Sequence, residues 1–242
     1  MTTLNSIFNL NPSAAAELET DRSNTGYKVL PTDIYDAVVK YAYLDAPAKG
    51  TPSIQVVLEV NGKTIQQAHY FYKDTRTPTK VVNGKPVTSP GMKAFNSLAY
   101  IVKGVMGTEL PMEQKIIKKF DRATRTEIPV KVDCFVDLIN ANIKVGIKEL
   151  LKHKSQKMSD GSYMPTTQIT PINEVDKYYS VDGKTSQELA GNSPAEYGPK
   201  WLTAYKDKPF EEKLKVEPID VSAQATPFDE PVAPAATTLF DD

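Results

Sequence analysis

The sequence predicts a mainly β chain that closes an antiparallel barrel around one internal helix. Three observations carry this: runs of alternating apolar and polar residues, tight Asn-Gly turns, and one long stretch of helical periodicity mid-chain. With 242 residues, 40% of them hydrophobic, the chain can bury a core without covalent staples.

Residues 1–24 are weakly patterned. Ser13 can cap a short helix through Ala14–Glu19, with Glu17 and Glu19 near its positive end, so this stretch reads as an arm. Strands begin near residue 27. Ile34–Leu44 alternates, which places Tyr35, Ala37, Val39, Tyr41 and Tyr43 on one face. Ile34, Val38, Ala42 and Leu44 share the other face with Asp36 and Lys40. After the breakers Pro47, Gly50 and Pro52, a second run carries Ile54, Val56, Leu58 and Val60. Asn61-Gly62 follows at once, a hairpin turn because both positions need positive φ. Lys63–Lys73 is the return strand, in which Ile65, Tyr70 and Phe71 compete for the interior.

Asn83-Gly84 marks a smaller hairpin between Lys80-Val81-Val82 and Lys85-Pro86-Val87. Pro90 and Gly91 precede a helix over Met92–Val105, with Phe95, Leu98, Ala99 and Val102 at helical spacing and a stop at Gly104 or Gly107. Lys115–Phe120 and Ile128–Val132 read as strands around a turn at Asp121–Thr126, and Phe135–Ile139 as a short helix. Over Ile143–Lys157, Leu150 and Leu151 favour helix, but the alternation and the Asp160-Gly161 turn favour strand. Its partner is Ile169–Tyr179, where Pro171 implies an edge or a bulge. Residues 185–206 are helical in two pieces, with Tyr197, Trp201 and Tyr205 on one face. From Pro209 the last 34 residues hold five prolines, with Ala, Thr and acids filling much of the rest, so this tail is expected to be disordered.

The order of elements fits an elaborated OB fold. The expected organisation is an N-terminal arm (1–24), an OB-fold DNA-binding domain (25–180), a helical extension (181–208) and a disordered acidic tail (209–242).

The net charge of -1 hides a split. Residues 217–242 carry six acids and no base, whereas residues 63–157 carry 18 bases and 8 acids, a balance of +10. Such a body attracts a polyanion, and such a tail competes for the same surface. One cysteine forbids an intrachain disulfide and suits a reducing compartment. No apolar run is long enough for a membrane helix, and the first residues lack a signal-peptide pattern.

Catalytic signatures are missing. Gly62-Lys63-Thr64 and Gly183-Lys184-Thr185 mimic a phosphate-binding loop, but Val57 and Tyr178 stand where its first glycine belongs. His69, His153 and Cys134 have no zinc-ligand spacing, and Cys134 beside Phe135 and Val136 reads as a small buried hydrophobe. The expectation is a non-enzyme with no cofactor and no metal.

Aromatic and basic residues are concentrated instead. His69, Tyr70, Phe71, Tyr72, Lys73 and Arg76 lie within eight residues, and Lys118, Lys119, Phe120, Arg122 and Arg125 form a second cluster. Single-stranded nucleic acid needs this pairing: rings stack on bases, and the lysines and arginines follow the phosphates. About half of the aromatics must face the core, since one face of each strand is interior. The expected stacking residues are Tyr41, Tyr43, Tyr70 and Tyr72. The expected phosphate contacts are Lys73, Arg76, Lys118, Lys119, Arg122 and Arg125. The tail ends in Leu239-Phe240-Asp241-Asp242, where Phe240, Asp241 and Asp242 offer an apolar anchor and charge to a partner's basic pocket.

Asp33-Ile34-Tyr35-Asp36-Ala37-Val38-Val39-Lys40-Tyr41-Ala42-Tyr43-Leu44, the hairpin after it, and the Lys115–Phe120 strand leading to Val145-Gly146-Ile147 resemble the single-stranded DNA-binding replication proteins of lytic, podovirus-like tailed phages. Lys184–Lys206, with Lys200-Trp201-Leu202, resembles the helical piece that follows that domain, and the tail tip is similar to the acidic tips of single-strand binders. The tail departs from the family in diluting its acids among Pro and Ala. The resemblance implies an OB fold and sequence-nonspecific coating of single-stranded DNA in phage replication and recombination. It also implies recruitment of a polymerase or other replisome protein through the tail, in the cytoplasm of an infected bacterium. The alternative is a non-catalytic phage interaction protein, such as a host-enzyme modulator, using the barrel as a scaffold.

Overall fold

Ten strands and three helices form the described part of the chain. A computed structural model describes residues 29–48, 50–121, 124–214 and 216–220. The Asn-Gly turns behave as their chemistry requires. Asn61 and Gly62 (φ 48° and 71°) join β2 (Ser53–Val60) to β3 (Lys63–Tyr70). Asn83 and Gly84 (φ 51° and 74°) join β4 (Thr79–Val82) to β5 (Lys85–Thr88), which form a separate two-stranded sheet. Helix α1 (Pro90–Lys103) starts where the Ser89 side chain accepts the Met92 N–H at 3.2 Å and stops at Gly104, φ 74°. The expected helix at Phe135–Ile139 is only a 3-10 turn over Val136–Leu138.

The main sheet is organised by β1 (Asp33–Asp45). One edge pairs with β2 from Val38 to Asp45. The other edge is shared: β8 (Asn142–Lys157) pairs with Asp33–Val38, and β7 (Thr126–Phe135) takes Tyr43 and Leu44. A register shift between Val39 and Tyr41 exchanges the faces of β1. Ala37, Val39 and Ala42 therefore enter the main core together, and Tyr41 and Tyr43 face the other way. Strict alternation groups Tyr41 and Tyr43 with Val39; one extra residue at the bulge separates them.

The sheet does not close into a barrel. Among the described residues no strand ladder joins β3 to β9 (Tyr163–Tyr179). Side chains bridge the gap instead: the Val175 N–H donates to Gln67 Oε1 at 3.0 Å, and His69 Nε2 lies 2.7 Å from the Tyr178 hydroxyl. Helix α1 plugs the core beside this seam with Phe95, Leu98 and Ala99, all 0% exposed. Its first turn sits on β3, where a Cβ on Gly91 would fall 2.3 Å from the Tyr70 carbonyl oxygen. Gly91→Ala should therefore push α1 off the seam and cost about 1–3 kcal/mol in urea unfolding.

β9 pairs only with β8 among the main-sheet strands, so Pro171 lies in an edge strand. Helices α2 (Ser186–Ala190) and α3 (Tyr197–Tyr205) follow. The Tyr197/Trp201/Tyr205 stripe is packing: Trp201 is buried and its indole N–H donates to Asp176 Oδ2 at 2.8 Å. Tyr205 stacks at 5.3 Å on Phe210 of β10 (Phe210–Glu211).

The sequence predicts a loss of order from Pro209, but the described residues 209–214 and 216–220 depart from this. β10 pairs in parallel with Leu150 and Leu151, and the His153 N–H donates to Glu212 Oε2. Further on, Ile219 exchanges main-chain hydrogen bonds with Pro165 and Thr167, where β9 bulges away from β8. The bulge frees backbone groups that need partners, and this segment supplies them. Residues 1–28 and 221–242, with the whole N-terminal arm and the tail tip, lie outside the described residues.

Candidate nucleic-acid interface

Alternation on β1, β2 and β3 puts Tyr41, Tyr43, Ser53, Gln55, Val57, Gln66, Ala68 and Tyr70 on the sheet face away from the main core. The hairpin of β6 (Met112–Asp121) and β7 borders it, since Cys134 pairs with Tyr43. Tyr43, Val57 and Cys134 form a small second core there, with Tyr41, Ile117 and Val132 against it.

The four expected stacking rings divide. Tyr70 is 58% exposed, at the end of β3 beside Ser53. Tyr41 is half-buried, with its ring 6.1 Å from that of Tyr43 and tilted by 40°. Tyr43 is only 2% exposed, and burial and the nearby Asp45 push its hydroxyl up to about 12. It is a floor residue whose ring is covered. Tyr72 lies beyond β3 in a loop, with the Lys80 ammonium 4.5 Å from its ring centre.

The expected phosphate contacts also divide. Lys119 projects over the same face, 5.9 Å from the Tyr43 ring centre and 3.3 Å from Asp45. Lys118, next in β6, projects to the opposite side and is exposed. Lys73 is exposed in the loop after β3, and Arg125 is exposed at the β6–β7 turn with φ 55°. Arg76 spends its guanidinium on the carbonyls of Gly50 and Pro47, clamping the β1–β2 loop. Arg122, Phe240, Asp241 and Asp242 lie outside the described residues.

Sequence reading missed a side-chain amide chain on this face. Gln66 Nε2 donates to Gln55 Oε1 at 2.9 Å, and Gln55 Nε2 donates to Ser53 Oγ at 2.8 Å. The signal was present as polar residues alternating with Ile54, Val56 and Leu58, but their partners are set by register across β2 and β3. Lys115 was also outside the expected set; it lies on the Lys119 side of β6, paired with Glu113 at 2.8 Å.

The histidines and the cysteine are placed apart. Cys134 is 1% exposed in the second core, and burial raises its thiol pKa. His69 is buried in the seam beside Tyr178, where burial holds its imidazole down to about 4. His153 Nδ1 lies 2.7 Å from the Thr166 carbonyl oxygen. Among the described residues no group of three His, Cys, Asp or Glu side chains could hold a metal ion. No helix among them is long and apolar enough to cross a membrane. The two phosphate-loop mimics have structural roles. Gly62-Lys63-Thr64 occupies a hairpin turn, and Thr185 caps α2, with its Oγ1 accepting the Glu188 N–H at 3.3 Å.

No family model matches the chain, and no curated protein matches it significantly.

Proposed function

We propose that this is a sequence-nonspecific single-stranded DNA-binding protein of phage replication and recombination, built as an elaborated OB fold and acting in the cytoplasm of an infected bacterium. One observation carries the reading: Tyr41 and Tyr70 present ring surface on the same sheet face, and Lys119 overhangs it. Rings and ammonium groups on one face are what a single strand needs, bases on the rings and phosphates on the cations. The reading makes the protein a coat for DNA and assigns no catalysis or cofactor to it. Its tail tip, Phe240-Asp241-Asp242, is the element proposed to recruit replication proteins.

Tyr70→Ala should weaken binding to oligo-dT by about 1–3 kcal/mol, read by fluorescence anisotropy. Tyr41→Ala should fall in the same range, and Tyr43→Phe should change affinity little because its ring is already covered. Lys119→Ala should lower the slope of log affinity against log salt by about 0.7, the counterion yield of one single-strand phosphate. Arg76→Lys should leave that slope unchanged and loosen the β1–β2 loop, because the guanidinium is occupied by carbonyls. Removing residues 221–242 should tighten binding at low salt if the tail competes with DNA; unchanged affinity would remove that part of the reading.

A further inference from the structure

The strand edges of this sheet are treated unequally. α1 and the Gln67 bridge cover the far edge of β3, and Ile219 bonds into the bulged edge of β9. β6 has no such cover: among the described residues its ten-residue ladder runs to β7 alone. The strand ladder between this hairpin and β1 covers only Tyr43 and Leu44, on the β7 side, and Ile117, Val132 and Lys119 pack toward Tyr43 and Asp45, so the outer edge of β6 is left unpaired. At its middle, Ile116 is 74% exposed, the most exposed large apolar side chain among the described residues, and Met112 on the same side is 51% exposed. Open N–H and C=O groups beside apolar side chains are a template for another strand.

We propose that β6 pairs antiparallel with β6 of a second copy of this chain, about a two-fold axis through Ile116. The occupant and its register follow from charge. A two-fold axis normal to an antiparallel pair passes through a residue that faces its own copy. Centred on Ile116, Glu113 of each copy faces Lys119 of the other, Gln114 faces Lys118, and Lys115 faces Ile117. Centring one residue earlier sets Lys115 against itself. Centring one residue later sets Lys115 against Lys119 and Glu113 against Asp121. Opposite charges across a strand pair attract and like charges repel, so the edge lysines favour this register over both of its immediate neighbours. The Ile116 side chains then meet on the axis and leave water. The pairing lies in the plane of the strands and does not rest on the DNA-binding proposal; it draws on Lys119 but does not cover the rings of Tyr41 and Tyr70.

The test uses the full chain in sedimentation velocity over a range of concentrations. A reversible monomer–dimer equilibrium is expected, with Ile116→Lys weakening it by about tenfold or more while circular dichroism stays unchanged. The register is read by cysteine: Ile116→Cys should form a disulfide-linked dimer under mild oxidation, because facing residues lie within disulfide reach, and Lys118→Cys should not. A monomer at every concentration, a dimer indifferent to Ile116→Lys, or cross-linking at position 118 in place of 116 would each overturn the proposal. So would β6 amides whose hydrogen-exchange protection does not depend on concentration, because a segment of the same chain would then cover the edge.

Discussion

Phe95→Ala should destabilise the domain by about 3–5 kcal/mol, the usual cost of deleting a buried aromatic ring. Phe95 is 0% exposed, its ring centre lies 4.7 Å from that of Phe135, and its edge fills the space that a Cβ on Gly107 would claim. It anchors α1, the element that fills the opening left because β3 and β9 do not pair. Neighbours cannot collapse into the hole, since α1 is already seated on the β3 backbone at Gly91. Urea unfolding measures the loss. The proposed DNA face lies on the other side of the sheet, so oligo-dT affinity per folded molecule should stay near that of the parent. A loss below about 1 kcal/mol would mean that α1 is a loose attachment and not the plug.

Acid should open the seam that Phe95 supports. Burial holds His69 at about 4, below its ordinary 6.5, and its Nε2 meets the buried hydroxyl of Tyr178. The folded state therefore binds fewer protons than the unfolded chain between those values. This contribution is fully present above pH 6.5, falls as pH drops toward 4, and changes no further below that. The total is about 3 kcal/mol. Unfolding free energies at pH 7, 5.5 and 4.5 should show this slope, and His69→Gln, which keeps a group able to bond Tyr178, should flatten it. Equal slopes in both proteins would remove His69 as the source.

Local chemistry was legible in the sequence wherever one or two residues decide the outcome. Asn61-Gly62 and Asn83-Gly84 demand hairpins, and Pro90 and Gly104 bracket α1, so these elements fall where expected. The strand reading of Ile143–Lys157 also holds, because the Asp160-Gly161 turn outweighed the helix propensity of Leu150 and Leu151. Long-range facts were not legible. The bulge after Val39 depends on β1 being shared among β2, β7 and β8, and it moves Tyr41 and Tyr43 to the face opposite Val39. The covered ring of Tyr43 depends on the β6–β7 hairpin, distant in sequence. The clamp of Arg76 on Pro47 and Gly50, and the docking of Ile219 into β9, likewise satisfy backbone groups that only the folded chain exposes.

Titration of labelled oligo-dT decides whether the face of β1 and β3 is the proposed single-strand surface. The full chain should be titrated at several salt concentrations beside matched duplex and beside Tyr70→Ala. Tight, length-dependent binding to dT is expected, with weak binding to duplex, a steep loss with salt and a clear penalty for Tyr70→Ala. Equal affinity for single strand and duplex at low salt, untouched by Tyr70→Ala, would rule out single-strand binding at this face and leave the lysines as ordinary surface charge.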